Sequence, residues 1–106
     1  MKIVASVDEA EYRQSRLCRL LGNSIAFTVV SLLAEGKEMN TSEIAKAAGR
    51  SVSRVSNIFT ALRLAEVVRY QTEGTRARYR LKHPRQTRKL LAALSGFVKS
   101  ASPTHR

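Results

Sequence analysis

Negative charge is what this chain has least of beyond its midpoint, and it is also short of cysteine, tryptophan, histidine and long apolar runs. A single thiol, Cys18, excludes an intramolecular disulfide and fits a reducing compartment. No Gly-rich phosphate loop, metal-ligand pair or Ser/His/acid cluster occurs at close spacing, so nothing in the order of residues suggests an enzyme. After Met1-Lys2 the apolar run is only Ile3-Val4-Ala5, too short for a secretion signal. Ile25 to Ala34, the longest mostly apolar stretch, is about half a membrane span and contains Thr28 and Ser31. The expectation is one small, soluble, cytoplasmic domain over residues 1–106, with no membrane partner, metal or cofactor.

What is abundant is positive charge, and its placement is informative. Up to Ala48, Lys2, Arg13, Arg16, Arg19, Lys37 and Lys46 are matched by Asp8, Glu9, Glu11, Glu35, Glu38 and Glu43. From Gly49 onward thirteen Lys or Arg face Glu66 and Glu73 alone, so the whole net charge of +11 belongs to the second half. Such asymmetry points to a polyanion, with nucleic acid ahead of an anionic membrane because the apolar faces are committed to a core.

Periodicity places the elements. Ser6-Val7-Asp8-Glu9 has the form of a capping box and predicts a helix from Val7 to Leu21, stopped by Gly22. Asn23 caps a second helix, whose broad stripe of Ile25, Val29, Leu32 and Leu33 with Ala26, Phe27 and Val30 belongs at the centre of the core; Gly36 closes it. Asn40-Thr41-Ser42-Glu43 repeats the capping-box form and opens a short helix to Ala48, with Ile44, Ala45 and Ala48 facing inward. Gly49 suits a left-handed stop, and Ser51 caps the next helix. In that helix Val52, Val55, Ile58, Phe59 and Leu62 form an apolar face, with Ser53, Arg54, Ser56, Asn57, Thr60 and Arg63 between them. Two helices joined by so short a turn make a helix-turn-helix. Hydroxyls, an amide and a guanidinium on its second helix are groups that can read base edges and hold phosphate, so Ser51, Ser53, Arg54, Ser56, Asn57 and Thr60 are the candidate DNA contacts.

After Leu64 the period becomes two. Val67–Thr72 and Arg76–Leu81 read as a hairpin turning at Glu73-Gly74-Thr75, with Ala77, Tyr79 and Leu81 on one face and Arg76, Arg78 and Arg80 on the other. Thr75, Arg76, Arg78 and Arg80 are therefore candidate phosphate contacts, against the alternative of an edge strand charged to prevent aggregation. His83-Pro84 ends the strand, and a final helix from Arg85 to Ser100 carries Leu90, Leu91, Leu94, Phe97 and Val98 in one stripe, followed by a frayed tail over 101–106.

This order of elements resembles the ArsR-type (ArsR/SmtB-like) winged helix-turn-helix repressors over roughly Leu20 to Leu81. The residues that carry the resemblance are Leu32-Leu33-Ala34-Glu35-Gly36, Ser42-Glu43-Ile44-Ala45, Gly49 with Ser51, Val55-Ser56, Leu62-Arg63, Val67-Val68, Glu73-Gly74 and Tyr79-Arg80-Leu81. It implies a mainly α, winged helix-turn-helix fold (α-α-α-α-β-β-α) and a homodimer formed through the first helix (1–21) and the last (85–100). It further implies a repressor of an inverted-repeat operator, with Ser53, Arg54, Ser56 and Asn57 in the reading role and Arg76 and Arg78 in the wing. The chain departs from the family pattern at Met39-Asn40-Thr41-Ser42-Glu43, where paired cysteines are often found, and in the last helix, where Arg85, Gln86, Arg88 and Lys89 replace acids and histidines that hold hard metals. Glu66 stands where a glycine usually follows the recognition helix, and Ala26 where arginine is common.

Other readings are a nonspecific architectural DNA-binding protein, a winged-helix protein adaptor, and RNA binding, for which Tyr70 and Tyr79 look core-facing and no stacking platform is evident. Cys18 is a candidate redox thiol because Arg16 and Arg19 flank it, against the ordinary expectation of a buried, inert cysteine, whereas Cys18, His83 and His105 lack metal-ligand spacing. The inducer, the operator and the sign of regulation have no signature in the sequence.

Overall fold

Helix caps and turns punctuate this chain at short intervals, and the computed structural model, which describes residues 8–101, follows them closely. Five helices and three strands run in the order α1 (Glu9–Leu21), α2 (Ser24–Leu33), β1 (Met39–Asn40), α3 (Thr41–Ala48), α4 (Val52–Leu64), β2 (Val68–Glu73), β3 (Arg76–Leu81) and α5 (Pro84–Ala101). This is a winged helix-turn-helix, with one strand more than the sequence suggested. The capping box proposed at Ser6 lies outside the described residues. Within them α1 is capped by Asp8, whose carboxylate accepts from the Glu11 N–H at 2.7 Å. Asn23 caps α2 through the N–H groups of Ile25 and Ala26. That helix ends at Leu33, ahead of Gly36.

At Asn40 the reciprocal capping box is complete: its side chain accepts from the Glu43 N–H, and its own N–H donates to the Glu43 carboxylate, both at 2.8 Å. Asn40 is buried, so both bonds satisfy groups that would otherwise lose water without replacement. It is also half of β1, which pairs antiparallel with β3 through Met39 opposite Tyr79 and Asn40 opposite Arg78. A strand of two residues has no readable period, which is why sequence patterning passes over it. Its effect is large, because the sheet order becomes β1-β3-β2 and the arginine-bearing strand lies in the middle. Pairing with β1 covers β3 at Arg78 and Tyr79, so the alternative of an edge strand charged against aggregation no longer describes that part of β3.

Helices α3 and α4 both end in the same hydrogen-bond pattern. The N–H groups of Gly49 and Arg50 donate to Lys46 and Ala45, and those of Glu66 and Val67 donate to Arg63 and Leu62. Gly49 meets the left-handed requirement with φ +68°. Glu66 meets it with φ +66° despite its Cβ, and its carboxylate is held by the Lys82 ammonium. The helix end is thus not shifted by the departure from glycine; the strain is accepted and an ion pair is placed over it.

The core comprises Ala26, Val29, Val30 and Leu33 of α2, Ile44 and Ala45 of α3, Val55, Phe59 and Leu62 of α4, and Val68 and Leu81 of the hairpin. Val52, expected on the apolar face of α4, is 51 % exposed because it lies in the first turn, ahead of the sheet contact. Neither α1 nor α5 buries a single residue. Phe97 is 74 % exposed, with Val98, Leu94 and Leu90 also open to solvent. What fixes α5 to the body is Leu91, packed against the core, and Arg88, whose Nε donates to the Ala34 carbonyl at the end of α2 at 2.8 Å. The radius of gyration, 16.0 Å, exceeds the ~13 Å of a compact chain of this length.

Phe59→Ala is expected to cost about 3–5 kcal/mol in urea unfolding, since its ring is fully enclosed between α2 and the sheet. At Glu66 a left-handed backbone penalises any Cβ while an exposed ion pair returns little. Glu66→Gly is therefore expected to raise the thermal midpoint. Lys82, by its hydrogen bond first and its charge second, holds the Glu66 carboxyl below its ordinary 4.5. The ionised form is favoured in the folded state, so its contribution is present above 4.5 and lost as pH falls through the lowered value. Thermal melts should show any advantage of wild type over Glu66→Gln at pH 7 disappearing in that acid range.

Candidate nucleic-acid interface

Helix α4 presents Ser53, Arg54, Ser56, Asn57 and Thr60 to solvent along one side while Val55, Phe59 and Leu62 anchor the other. Their hydrogen-bonding capacity is not equal. The Ser51 hydroxyl accepts from the Arg54 N–H at 3.2 Å, and the Thr60 hydroxyl donates to the Ser56 carbonyl one turn earlier, also at 3.2 Å. The first caps the helix, and the second commits the Thr60 donor to the helix backbone. Among the described residues, the side chains of Ser53, Ser56 and Asn57 and the guanidinium of Arg54 have no hydrogen-bond partner within the protein. The free donors and acceptors are thus concentrated in the first two turns, the part of a recognition helix that meets base edges.

The hairpin is held to this helix by aromatic rings. Phe59 of α4 and Tyr79 of β3 stack with centroids 3.7 Å apart and planes 12° from parallel. Tyr70 of β2 leans on Tyr79 at 5.6 Å, and the Arg63 guanidinium, again from α4, lies 4.7 Å from the Tyr70 centroid. Tyr70 is 43 % exposed, not fully core-facing, because its outer face receives Arg63 rather than more core. The ladder begins and ends on α4, so the wing cannot swing independently of the helix.

Because Tyr79 faces α4, alternation sends Arg76, Arg78 and Arg80 to the opposite face of the sheet. The hairpin register then adds a residue that the sequence reading passed over: Arg69 lies directly across from Arg80, with Gln71 across from Arg78 and Glu73 across from Arg76. This register follows from the tight turn at Gly74-Thr75, where Gly74 has φ +64°, and Arg69 could have been found by counting outward from it. Four guanidiniums therefore share the outer face.

They are not left unopposed. Arg80 Nη1 donates to Glu38 Oε2 at 3.2 Å, and Arg78 Nη2 donates to the Glu38 carbonyl at 2.8 Å. Arg78 also lies 3.9 Å from the carboxylates of both Glu38 and Glu43. The acids that made the first half neutral are thus carried across by β1 to the arginine strand. Arg76, at the hairpin end, has no ion pair among the described residues, and Thr75 beside it is exposed. Of the wing candidates, Thr75 and Arg76 are free, while Arg78 and Arg80 are occupied.

Cys18 is exposed on α1. His105 lies outside the described residues, and within them no three His, Cys, Asp or Glu side chains gather as a metal site. No single described helix is long and apolar enough to cross a membrane.

No family model and no curated protein matches the chain in sequence. Solved structures do match it in shape. The homodimeric winged helix-turn-helix DNA-binding domain of Mb0332 from Mycobacterium bovis, a possible ArsR-family transcriptional regulator, is similar over 88 % of this chain and 88 % of that one, with 25 % identity and a TM-score of 0.72. NolR from Sinorhizobium fredii is 21 % identical over 84 % of this chain and 87 % of its own, with a TM-score of 0.75. The antimony-specific transcriptional repressor AntR is 22 % identical over 90 % and 86 %, with a TM-score of 0.71. In its succession of elements and over most of its length, the chain has the winged helix-turn-helix fold of the ArsR-family regulators.

Proposed function

We propose that the protein is a sequence-specific double-stranded DNA-binding transcriptional regulator, a repressor that binds an inverted-repeat operator as a homodimer. The observation that carries this reading is the unpartnered polar face of α4, where Ser53, Arg54, Ser56 and Asn57 are free to meet base edges while the ring ladder keeps the wing beside them. Thr75 and Arg76 supply phosphate contacts at the hairpin tip. Ser51 and Thr60 shape the helix and contribute less to reading, since their hydroxyls are already bonded.

Dimerisation is supported by the two terminal helices. Large apolar side chains on α5 remain in water, and an open groove of about 1080 Å³ between α1 and the end of α4 is lined by Tyr12, Leu17, Leu20 and Leu64 together with Arg13, Arg16 and Arg19 of α1; Leu64 is 78 % exposed. Each such side chain buried would contribute about 1.5–3 kcal/mol. The homodimeric state of the Mb0332 domain is in line with that assignment. Two copies related by a twofold axis would place two α4 helices in major grooves about one helical turn apart. A binding role rather than catalysis, and a cytoplasmic setting with access to DNA, follow from the same reading.

Selection of duplexes from a random library by the purified protein should return an inverted repeat, and sedimentation should give a dimer that Phe97→Asp converts to monomer. Fluorescence titrations should show Arg54→Ala and Asn57→Ala weakening the selected duplex more than a random one, whereas Arg76→Ala weakens both and reduces the salt slope by about 1. Equal affinity for selected and random duplexes would make the protein an architectural DNA binder instead.

A further inference from the structure

Building on the DNA-binding reading, we propose that Glu38 is an internal counter-charge that takes the place of DNA phosphate at Arg78 and Arg80 and so lowers the wing's affinity for any duplex. Its carboxylate receives Arg80 at 3.2 Å and lies 3.9 Å from Arg78 Nε. A carboxylate and a phosphate offer a guanidinium the same thing, paired anionic oxygens, and the same donors cannot serve both.

Three features separate this role from simple scaffolding. The backbone at Glu38 is already held by the Arg78 bond to its carbonyl, and the strand beyond it by the β1–β3 ladder and the Asn40 capping box. The carboxylate is not needed for any of these. The Glu38–Arg80 pair is also open to solvent, 44 % and 43 % exposed at the two side chains, where an ion pair adds little to stability and is easily exchanged. Finally, Glu43, the other acid beside Arg78, is tied to the Asn40 N–H, so Glu38 is the acid able to release its arginines without breaking a helix cap.

The outer face then exists in two electrostatic states. With Glu38 engaged, two of the four outer-face guanidiniums, those of Arg76 and Arg69, lack an ion pair among the described residues. With phosphate in its place, Arg80 joins them, Arg78 keeps its bond to the Glu38 carbonyl with Glu43 beside it, and the repulsion between Arg69 and Arg80, which face each other across the ladder, is relieved by the ligand instead of by the protein. Glu38 thereby weakens nonspecific and specific binding together and leaves selection to α4.

The test is Glu38→Gln, which keeps the backbone carbonyl and the side-chain shape. Titrations with fluorescent duplexes should show both selected and random sequences binding roughly tenfold tighter, with a salt slope steeper by about 1–2. Adding Arg80→Ala to that variant should remove most of the gain, and the urea midpoint should stay near wild type. Unchanged or weakened binding by a folded Glu38→Gln protein would overturn the proposal. A second measurement does not depend on DNA: inorganic phosphate titrated into protein with nitrogen-15-labelled arginine side chains should shift the Arg80 resonances in Glu38→Gln and leave them nearly still in wild type. No difference between the two proteins would sink the counter-charge. Phosphate shifts in Glu38→Gln without duplex binding by either protein would overturn both the effect of Glu38 on duplex affinity and the DNA-binding reading, whereas duplex binding unchanged by Glu38→Gln would overturn the counter-charge alone.

Discussion

The face-to-face stack of Phe59 on Tyr79 is the contact through which the two halves of the molecule become one surface. Phe59 lies on the buried side of α4 and Tyr79 on the central strand, so one pair of rings fixes the distance between a helix that presents polar side chains and a hairpin that presents charge. Tyr70 and Arg63 close the circuit back onto α4. Packing of this kind transmits position with little slack, because rings in contact leave no room for the wing to pivot. On the proposed function, binding to a duplex requires less ordering, and more of the contact energy appears as affinity.

Charge is organised differently from packing. Reading along the chain separates a neutral half from a basic half, but folding brings part of the first against the second through two residues of strand. Glu38 and Glu43 leave their own segment and meet Arg78 and Arg80. A basic stripe in sequence therefore becomes an outer sheet face on which Arg78 and Arg80 have internal counter-ions, while Arg76 at the hairpin tip and Arg69 on β2 have none among the described residues. The arginines held by carboxylates and the arginine left without an ion pair at the hairpin tip are different residues of one strand.

The terminal helices show the limit of a chain this small. A core built from α2, α3, α4 and the hairpin encloses its own side chains, and beyond Leu20, Leu21 and Leu91, which pack against it, the apolar residues of α1 and α5 stay largely uncovered. Their stripes are regular, which is why they are visible in sequence, yet they are not spent on the monomer. An amphipathic helix attached by one arginine and one leucine, as α5 is through Arg88 and Leu91, is suited to being shared with a second copy.

Local chemistry was legible from the residues alone. Asn23, Asn40 and Ser51 cap as their side chains dictate, Gly49 and Gly74 turn as their missing Cβ allows, and the change of period after Leu64 marks the hairpin. These depend on neighbours within four residues, so order along the chain determines them. Tertiary structure decided what depends on partners far apart: the pairing of β1 with β3, the retention of a left-handed Glu66 over Lys82, the placing of Arg69 with the wing arginines, and the division of those arginines into free and occupied. No spacing rule reports a carboxylate some forty residues from the guanidinium it will meet. The sequence by itself determined which groups this protein can offer to DNA; only the fold decided which of them are already taken, because an ion pair is settled by distance in space and not by distance along the chain.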